Sequence, residues 1–193
     1  MPTISRATVE SKIASGDMDF QGLVIQGKDL SGIDFSNIDA SGASIVRCSL
    51  KKAKFATGRL IETDFSESDL EESDFSHAKA PYSHFEASIV TGTRYDEADL
   101  EGADFSEATA HNAAFRKSNL TKVNFQDADL AGTDFSASNL NLANFAGSDL
   151  SSCVFSGNTI DDQGISTITK AKSWKTASFD KELAERVAKL GSQ

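Results

Sequence analysis

Carboxylates, thiols, imidazoles and hydroxyls are the groups in this sequence that could do chemistry. The 193 residues include 29 Asp or Glu, three His and two Cys. Paired carboxylates can act as general acid and base, and a His beside a Ser or Cys can activate a nucleophile. The carboxylates, however, recur at regular intervals, as in DLAGTDFSASNLNLANFAGSDL from Asp129 to Leu150. Their spacing must be explained before any of them is assigned a chemical role.

Apolar residues define the interval. Every fifth residue from Phe20 to Ile160 is Phe, Tyr, Leu, Ile, Val or Ala, and twelve of the 13 Phe belong to this inward series. Small residues, mostly Ala, Ser or Thr, stand two places before each of them. Five residues turn an α-helix by ~500°, and in a strand an odd spacing alternates between faces, so neither element places the series on one side. The chain is therefore predicted to bend within every repeat and to wind into a β-solenoid.

Residue types indicate four sides to each coil. A step of twenty residues along the inward series sorts it into aromatic and aliphatic columns, with exceptions in the first coils such as Phe20 before Ala40 and Ile45 before Phe65, whereas a step of fifteen mixes the two types. This predicts aromatic columns on two opposite sides, aliphatic columns on the other two, and about seven coils. In the middle coils the inward residues are Ala80, Leu100 and Leu120 on side 1, Phe85, Phe105 and Phe125 on side 2, Leu70, Val90 and Ala110 on side 3, and Phe75, Tyr95 and Phe115 on side 4.

The repeats resemble those of the pentapeptide repeat family, whose pattern is A-[D/N]-[L/F]-x-x. ADLEG from Ala98, ADFSE from Ala103, ADLAG from Ala128 and ANFAG from Ala143 carry the resemblance, which covers residues 18 to 160. It implies an all-β fold, the right-handed quadrilateral β-helix, with short helices at the ends. The Asp or Asn before each inward residue is expected to bond turn amides, which makes most of these acids structural.

Both ends of the solenoid are predicted to be covered, because open ends expose unpaired backbone. Residues 1–17 are predicted to form an N-terminal cap helix, residues 18–160 the β-helix, and residues 161–193 a loop, from Gln163 to Ala177, followed by a helix. Ser178 or Asp180 is the candidate N-cap of that helix. The C-terminal apolar residues are predicted to serve as a lid, a homodimer contact or both; they are Trp174, Phe179, Leu183, Val187 and Leu190.

The candidate catalytic groups do not form a constellation. The three His residues, His77, His84 and His111, fall on different sides, so no metal cluster is expected. Cys48 and Cys153 are predicted to be buried thiols about five coils, ~24 Å, apart, too far for a disulfide. The sequence contains no phosphate-binding loop or nucleotide-binding motif. We therefore expect no enzyme activity and no cofactor or metal.

Two outward surfaces are candidates for binding a partner. The acidic surface is predicted on one side of consecutive middle coils and consists of Asp64, Glu67, Glu86, Asp104, Glu107 and Asp127. It is either a solvated face that aids solubility or a row of charge that imitates a DNA backbone. The cationic-apolar patch lies on one side of two neighbouring coils and consists of Arg59, Ile61, Lys79, Pro81 and Tyr82. It is either neutral surface variation or an anchor for a partner.

Net charge and composition limit the classes of function. A net charge of −10 disfavours direct binding to nucleic acid, and the chain has no apolar run of membrane-spanning length. Without an apolar signal sequence we expect a cytoplasmic protein, although secretion by a route without such a signal stays open. The favoured function is a rigid protein-binding module or scaffold. The alternatives are a DNA mimic that binds DNA gyrase and protects it from quinolones or toxins, and a secreted bacterial effector or secretion-system accessory.

Overall fold

The computed structural model describes residues 4–191 and shows how the chain bends within each repeat. Most inward residues open a turn in which their carbonyl accepts the N–H three residues on; the N–H of Ala98 reaches the oxygen of Tyr95 at 3.0 Å. Every fifth residue from Gly22 to Gly157 has a positive φ, such as 59° at Glu97. A positive φ at the third residue of a turn is typical of type II turns. The backbone therefore changes direction once in every repeat.

Successive coils are joined by parallel pairing between residues twenty apart. Strand β1 (Val24–Gln26) pairs in parallel with β2 (Ser44–Val46) at that register, and single-residue bridges with the same step follow on all four sides. The hydrogen bonds are short, as between the Phe105 N–H and the Asn124 oxygen at 2.7 Å. The twenty-residue step that sorts the inward residues by type is thus the pairing register of the solenoid.

The inward residues fill the core completely. Those from Phe20 to Phe155 are 0% exposed. Rings stack along each aromatic column, with 4.5 Å between the centroids of Phe85 and Phe105. Rings of the two columns meet edge to face, as Tyr95 and Phe105 do at 5.5 Å and 88°. Stacked and edge-to-face contacts are both favourable for aromatic rings, so one core satisfies both geometries in every coil.

Helix α1 (Arg6–Ala14) lies at the N-terminal end of the rod. It begins after Ser5, whose hydroxyl accepts the Thr8 N–H at 3.1 Å. Val9 is fully buried, Ile13 packs against the core, and the Arg6 guanidinium donates to the backbone carbonyl of Asp29 at 2.9 Å. The helix therefore packs against the first coil through apolar residues and one charged residue.

The C-terminal segment has more regular structure than the sequence predicted. Strand β3 (Val154–Phe155) is followed by helix α2 (Asp162–Ile168), a 3₁₀ helix (Trp174–Thr176), strand β4 (Ser178–Phe179) and helix α3 (Lys181–Leu190). Helix α2 occupies part of the segment 163–177 that was predicted to be a loop. The reason is local: the Asp161 carboxylate accepts the Gly164 N–H at 2.8 Å, and two isoleucines of α2 are buried. The domain boundaries themselves stay predictions.

Strand β4 adds a further layer to the rod. It pairs in parallel with β3, with Phe179 opposite Phe155, and their rings stack at 5.3 Å. Phe179, predicted to be one of the C-terminal apolar residues of a lid or homodimer contact, continues the aromatic column of side 4. Asp180 is the N-cap of α3 and accepts the Leu183 N–H at 3.0 Å. After the interruption by α2 and the 3₁₀ helix, the chain thus returns to the β-helix pattern at β4, just before α3 begins.

Candidate functional site: two outward surfaces of the rod

The repeated Asp and Asn residues hold the turns together. The Asp104 carboxylate accepts the Ser106 N–H at 2.8 Å, and residues in the same place from Asp19 to Asp149 bond the N–H two residues on. The Ser151 hydroxyl and amide lower the pKa of Asp149. Because these oxygens already accept backbone hydrogen bonds, they are less available to a partner than the remaining acids.

The acidic surface lies on side 2. Its six carboxylates occupy the outward positions of successive coils, and no Lys or Arg stands among those positions from Asp64 to Asp127. They do not form one continuous column. Glu67 and Glu107 are at the positive-φ place of their turns with Ala87 between them, whereas Glu86 stands one residue earlier. Glu67 and Glu107 are therefore two coils, ~10 Å, apart, whereas Glu107 and Asp127 stand at the same turn place in adjacent coils.

Two neighbours reduce the charge of this surface. Arg47 binds Glu67 through both arms, with Nη2 to Oε1 at 2.8 Å and Nε to Oε2 at 3.0 Å. This hydrogen bond lowers the pKa of Glu67. His84 bonds Glu86 through Nδ1 at 2.9 Å. Partial burial lowers the pKa of His84, but the Glu86 hydrogen bond and the charges of Asp64 and Asp104 outweigh it, so the pKa is raised.

Opposite charges stand above one another over most of the outer surface. Lys51 reaches Glu71 at 2.7 Å and Lys52 reaches Glu72 at 3.2 Å, each across one coil. Of the ten Lys and Arg between residues 44 and 160, nine have a carboxylate oxygen within 4 Å. Cross-strand pairs of opposite charge are favourable and like charges in register are not. Lys79 is the exception among these ten.

The cationic-apolar patch contains that exception and lies on side 1. Arg59 and Lys79 are directly bridged neighbours in adjacent coils, so like charges stand in register. Arg59 reaches Asp39 at 3.4 Å. The side chain of Lys79, in contrast, makes no hydrogen bond or ion pair with any described residue, although Asp99 is its paired neighbour in the next coil. Tyr82 is 49% exposed, whereas Ile61 and Pro81 are half-buried. The structure therefore brings all five predicted residues together.

Sequence reasoning missed two more residues of side 1. Lys122 and Leu142 stand at the same place in their turns as Tyr82, two and three coils further on. Leu142 is 37% exposed, and the only other large apolar side chains this exposed in residues 4–191 are Tyr82 and Ile89. The signal was present in the sequence, because residues 82, 122 and 142 differ by multiples of twenty.

The apolar residues of the C-terminal segment face their own chain. Leu183 and Val187 of α3 are buried, and Trp174, Phe179 and Leu190 are half-buried against the core. This placement is that of a lid over the last coil. A homodimer contact through the same helix stays a prediction.

Groups with potential for catalysis are occupied or buried. Burial raises the pKa of the Cys48 thiol, and it raises that of Cys153 to about 12. Each His is beside a carboxylate on its own side of the rod, as His111 is beside Asp129 at 2.6 Å. Within residues 4–191 no three His, Cys, Asp or Glu residues are grouped so as to hold a metal ion. No helix of that part of the chain is long and apolar enough to cross a bilayer.

The repeat, its pairing register and its core define a pentapeptide repeat β-helix. The family model described as pentapeptide repeat region matches residues 88–164. A solved pentapeptide repeat protein from the thylakoid lumen of Arabidopsis thaliana is 31% identical over 66% of this chain and 68% of its own, with a TM-score of 0.32. The chain belongs to the pentapeptide repeat family.

Other solved members are more distant. Full-length QnrB1, a plasmid-mediated fluoroquinolone resistance protein, is 16% identical, with 97% of this chain and 93% of that one covered and a TM-score of 0.43. HetL, involved in heterocyst differentiation regulation in the cyanobacterium Nostoc, is 19% identical, with 92% and 95% covered and a TM-score of 0.31. No curated protein sequence matches the chain. At these identities and scores the structures carry no inference about partners.

Proposed function

We propose that the chain is a non-enzymatic protein-binding module: a right-handed rod of about seven coils that holds outward side chains at fixed spacing. Its closely packed rings favour a rigid body, because stacked and edge-to-face contacts recur in every coil. Its repeated carboxylates accept turn amides, and its thiols are buried with raised pKa values. These groups are thus committed to the fold.

The cationic-apolar patch is the observation that carries this proposal. Elsewhere between residues 44 and 160 each Lys and Arg has a carboxylate oxygen within 4 Å, whereas Lys79 has none that close among the described residues. Lys79 is paired with Asp99 in the next coil and stands against Arg59 in the coil before it. An exposed aromatic side chain, Tyr82, lies next to this pair. Aromatic side chains and Arg are enriched at the centres of protein interfaces. A partner that covers the patch would supply the missing counter-charge.

Site-specific photocrosslinking tests the proposal. A photoreactive amino acid is placed in turn at Tyr82, Glu107, Ala137 and Ser152, which occupy the same place in the turns of sides 1, 2, 4 and 3. In extract of the source organism we expect one protein to be captured from position 82 and far less from the other three. Equal capture from all four positions, or none from any, would contradict a binding module with a defined face.

A second candidate function is favoured by the acidic surface: a DNA mimic that binds DNA gyrase. The observation is the run of six carboxylates without Lys or Arg on side 2 from Asp64 to Asp127. A gyrase supercoiling titration at two salt concentrations tests it, because mimicry of a phosphate backbone should weaken as salt rises. Inhibition that is lost when Glu67, Glu86 and Glu107 are changed to Lys would support it. No effect of the unaltered protein would exclude it.

A further inference from the structure

We infer that side 1 binds an extended acidic segment of a partner protein. This inference rests on the proposed binding function and adds the chemistry and shape of the partner. The apolar side chains of the partner segment would lie against Tyr82 and Leu142, and its carboxylates against Arg59 and Lys79.

The break in the repeat at Lys79 leaves a cation available to a partner. The position is normally Asp or Asn, whose oxygen accepts the N–H two residues on. Two residues after Lys79 is Pro81, which has no N–H, so this turn needs no such acceptor. Lys79 faces Arg59 in the coil before it and Asp99 in the coil after it, but no carboxylate oxygen of the described residues lies within 4 Å of its ammonium group. A carboxylate placed between Lys79 and Arg59 would remove the repulsion between them.

Tyr82 is held in a defined position beside this pair. Its ring lies over the backbone of the next coil, where residue 102 is Gly; a Cβ there would be 2.7 Å from two ring carbons. Only glycine therefore lets the ring lie in this place. A large apolar ring that is half exposed and fixed against the backbone loses little freedom when a partner covers it.

Spacing along side 1 selects an extended partner. Tyr82 and Leu142 stand at the same turn place three coils apart, which is ~14 Å at the strand spacing. An extended chain advances ~3.4 Å per residue, so residues four apart span this distance. Residues four apart in a strand also point to the same face. Lys122, between the two apolar residues, is already paired with Glu101 at 3.0 Å, so Arg59 and Lys79 are the cations assigned to the partner.

A labelled peptide tests the inference directly. The probe is a fluorescein-labelled peptide of twelve residues with two leucines four residues apart and Asp or Glu at the other positions. We expect saturable binding to the full chain below ~1 mM, measured by fluorescence anisotropy. The same peptide with Asn and Gln in place of its acids, and one with the leucines three apart, should bind at least about tenfold more weakly.

Matched variants of the chain locate the binding surface. Lys79→Glu and Tyr82→Ala should each weaken peptide binding about tenfold or more. Lys170→Glu changes an exposed lysine away from side 1, and Ile89→Ala removes an apolar side chain that is 43% exposed on side 3. Both controls should stay within about twofold of the unaltered chain.

Gly102→Ala tests whether peptide binding depends on the position of the Tyr82 ring as well as on its presence. Alanine already occupies the same turn place with positive φ at Ala87 and Ala137, so the fold should be kept, as circular dichroism would show. The added Cβ must displace the Tyr82 ring. We expect weaker peptide binding although every charged and apolar side chain of side 1 is still present.

Three results would overturn the inference. These are no peptide binding up to ~1 mM, equal weakening by Lys170→Glu, and self-association of the chain that is lost in Lys79→Glu, which would assign side 1 to a second copy. The photocrosslinking experiment distinguishes a failure of this inference from a failure of the proposed protein-binding function. A partner captured from position 82 that the acidic peptide does not displace would leave the function standing and the inference refuted.

Discussion

The inward and outward columns of the rod repeat with the same twenty-residue step, but they use it in opposite ways. Inside, the step places ring on ring, as in Phe85 and Phe105 at 4.5 Å. Outside, it places cation on anion, as in Lys51 and Glu71 at 2.7 Å. Rings of the same kind attract at this distance, whereas charges of the same sign repel. The inside therefore favours uniform columns and the outside favours alternating ones.

Departures from each rule consequently have different meanings. An inward residue that differs from its column leaves a cavity or an unpaired polar atom, which lowers the stability of the fold. An outward pair of like charges, such as Lys79 beside Arg59, lowers the stability of the fold only slightly because solvent screens exposed charges. Such a site can persist without a structural purpose, and it can also be occupied by a partner. Variants that alter one column at a time separate these cases.

The largest effect is expected from a cavity in an aromatic column. Phe105 is fully buried, stacks on Phe85, lies tilted by 31° against Phe125, and meets Tyr95 and Phe115 edge to face. Phe105→Ala should lower the free energy of unfolding by ~3–5 kcal/mol in denaturant titrations, as do other buried Phe truncations. Glu107→Ala, two residues on and outward-facing, is the control with an unchanged midpoint. A loss below ~1 kcal/mol for Phe105→Ala would contradict the packing of the columns.

A smaller effect, of opposite sign, is expected at Tyr95. This residue occupies an inward position held by Phe in the coils on either side, and its hydroxyl has no hydrogen-bond partner among the described residues. Burial raises its pKa well above the usual range. Tyr95→Phe should raise the free energy of unfolding by ~1 kcal/mol, because it removes an unsatisfied buried group.

The reverse substitution is the matched control for Tyr95. Phe115→Tyr, one coil further along the same column, introduces a hydroxyl and should lower stability. Both proteins are compared in the same denaturant titration. A loss of stability in Tyr95→Phe would show that the hydroxyl is hydrogen-bonded in solution.

The regular part of the fold could be predicted from the sequence because the position of a residue within the repeat determines where it lies in the rod. The inward series determines the side of each residue, and a residue twenty further on is its neighbour in space. The C-terminal segment lacks this property. Helix α2 has the sequence DQGISTI, which contains Gly and β-branched residues that are weak helix formers. It forms because of its Asp161 cap and its buried isoleucines, and these depend on the last coil.

The hydrogen-bond and ion-pair partners of outward side chains could not be predicted from the sequence either. The twenty-residue repeat places Arg47 and Glu67 in adjacent coils, but it does not show that they form a bidentate ion pair. Phe179 illustrates the same limit inside the rod. It lies 24 residues after its stacking partner, Phe155, so no count in multiples of five finds it.

A still smaller effect is expected from pH at the centre of the acidic surface. The folded protein raises the pKa of His84, because Glu86, Asp64 and Asp104 outweigh partial burial. Its contribution to stability is therefore fully present below the unfolded value of ~6.5 and is lost as pH rises through the folded value. Proton NMR should show His84 titrating above the ordinary range. The unfolding midpoint should fall slightly over this window in the unaltered chain and not in His84→Gln. Titration at or below the ordinary value would contradict the charge arrangement.

The smallest effect is expected from reversing the charge of the acidic surface itself. Glu67, Glu86 and Glu107 point outward. Glu67 binds Arg47, and Glu86 binds Ser66 and His84. Changing the three glutamates to Lys places a like charge beside Arg47, which should lower the unfolding midpoint slightly and leave the β circular-dichroism signal intact.

An inward charge is the control that gives this last result its meaning. Ala103→Lys introduces the same side chain one turn away from Glu107, but at a position that is 0% exposed. A charge buried there has no counter-ion or water, so this variant should lose the folded signal. Both variants introduce lysine side chains, which point outward in the triple variant and inward in Ala103→Lys. If the triple variant unfolds as well, side 2 is not turned outward at these residues and the acidic surface does not exist in the form described. If Ala103→Lys folds, the small inward positions are not closed to water, and the solid core on which the rigidity of the rod depends is wrong.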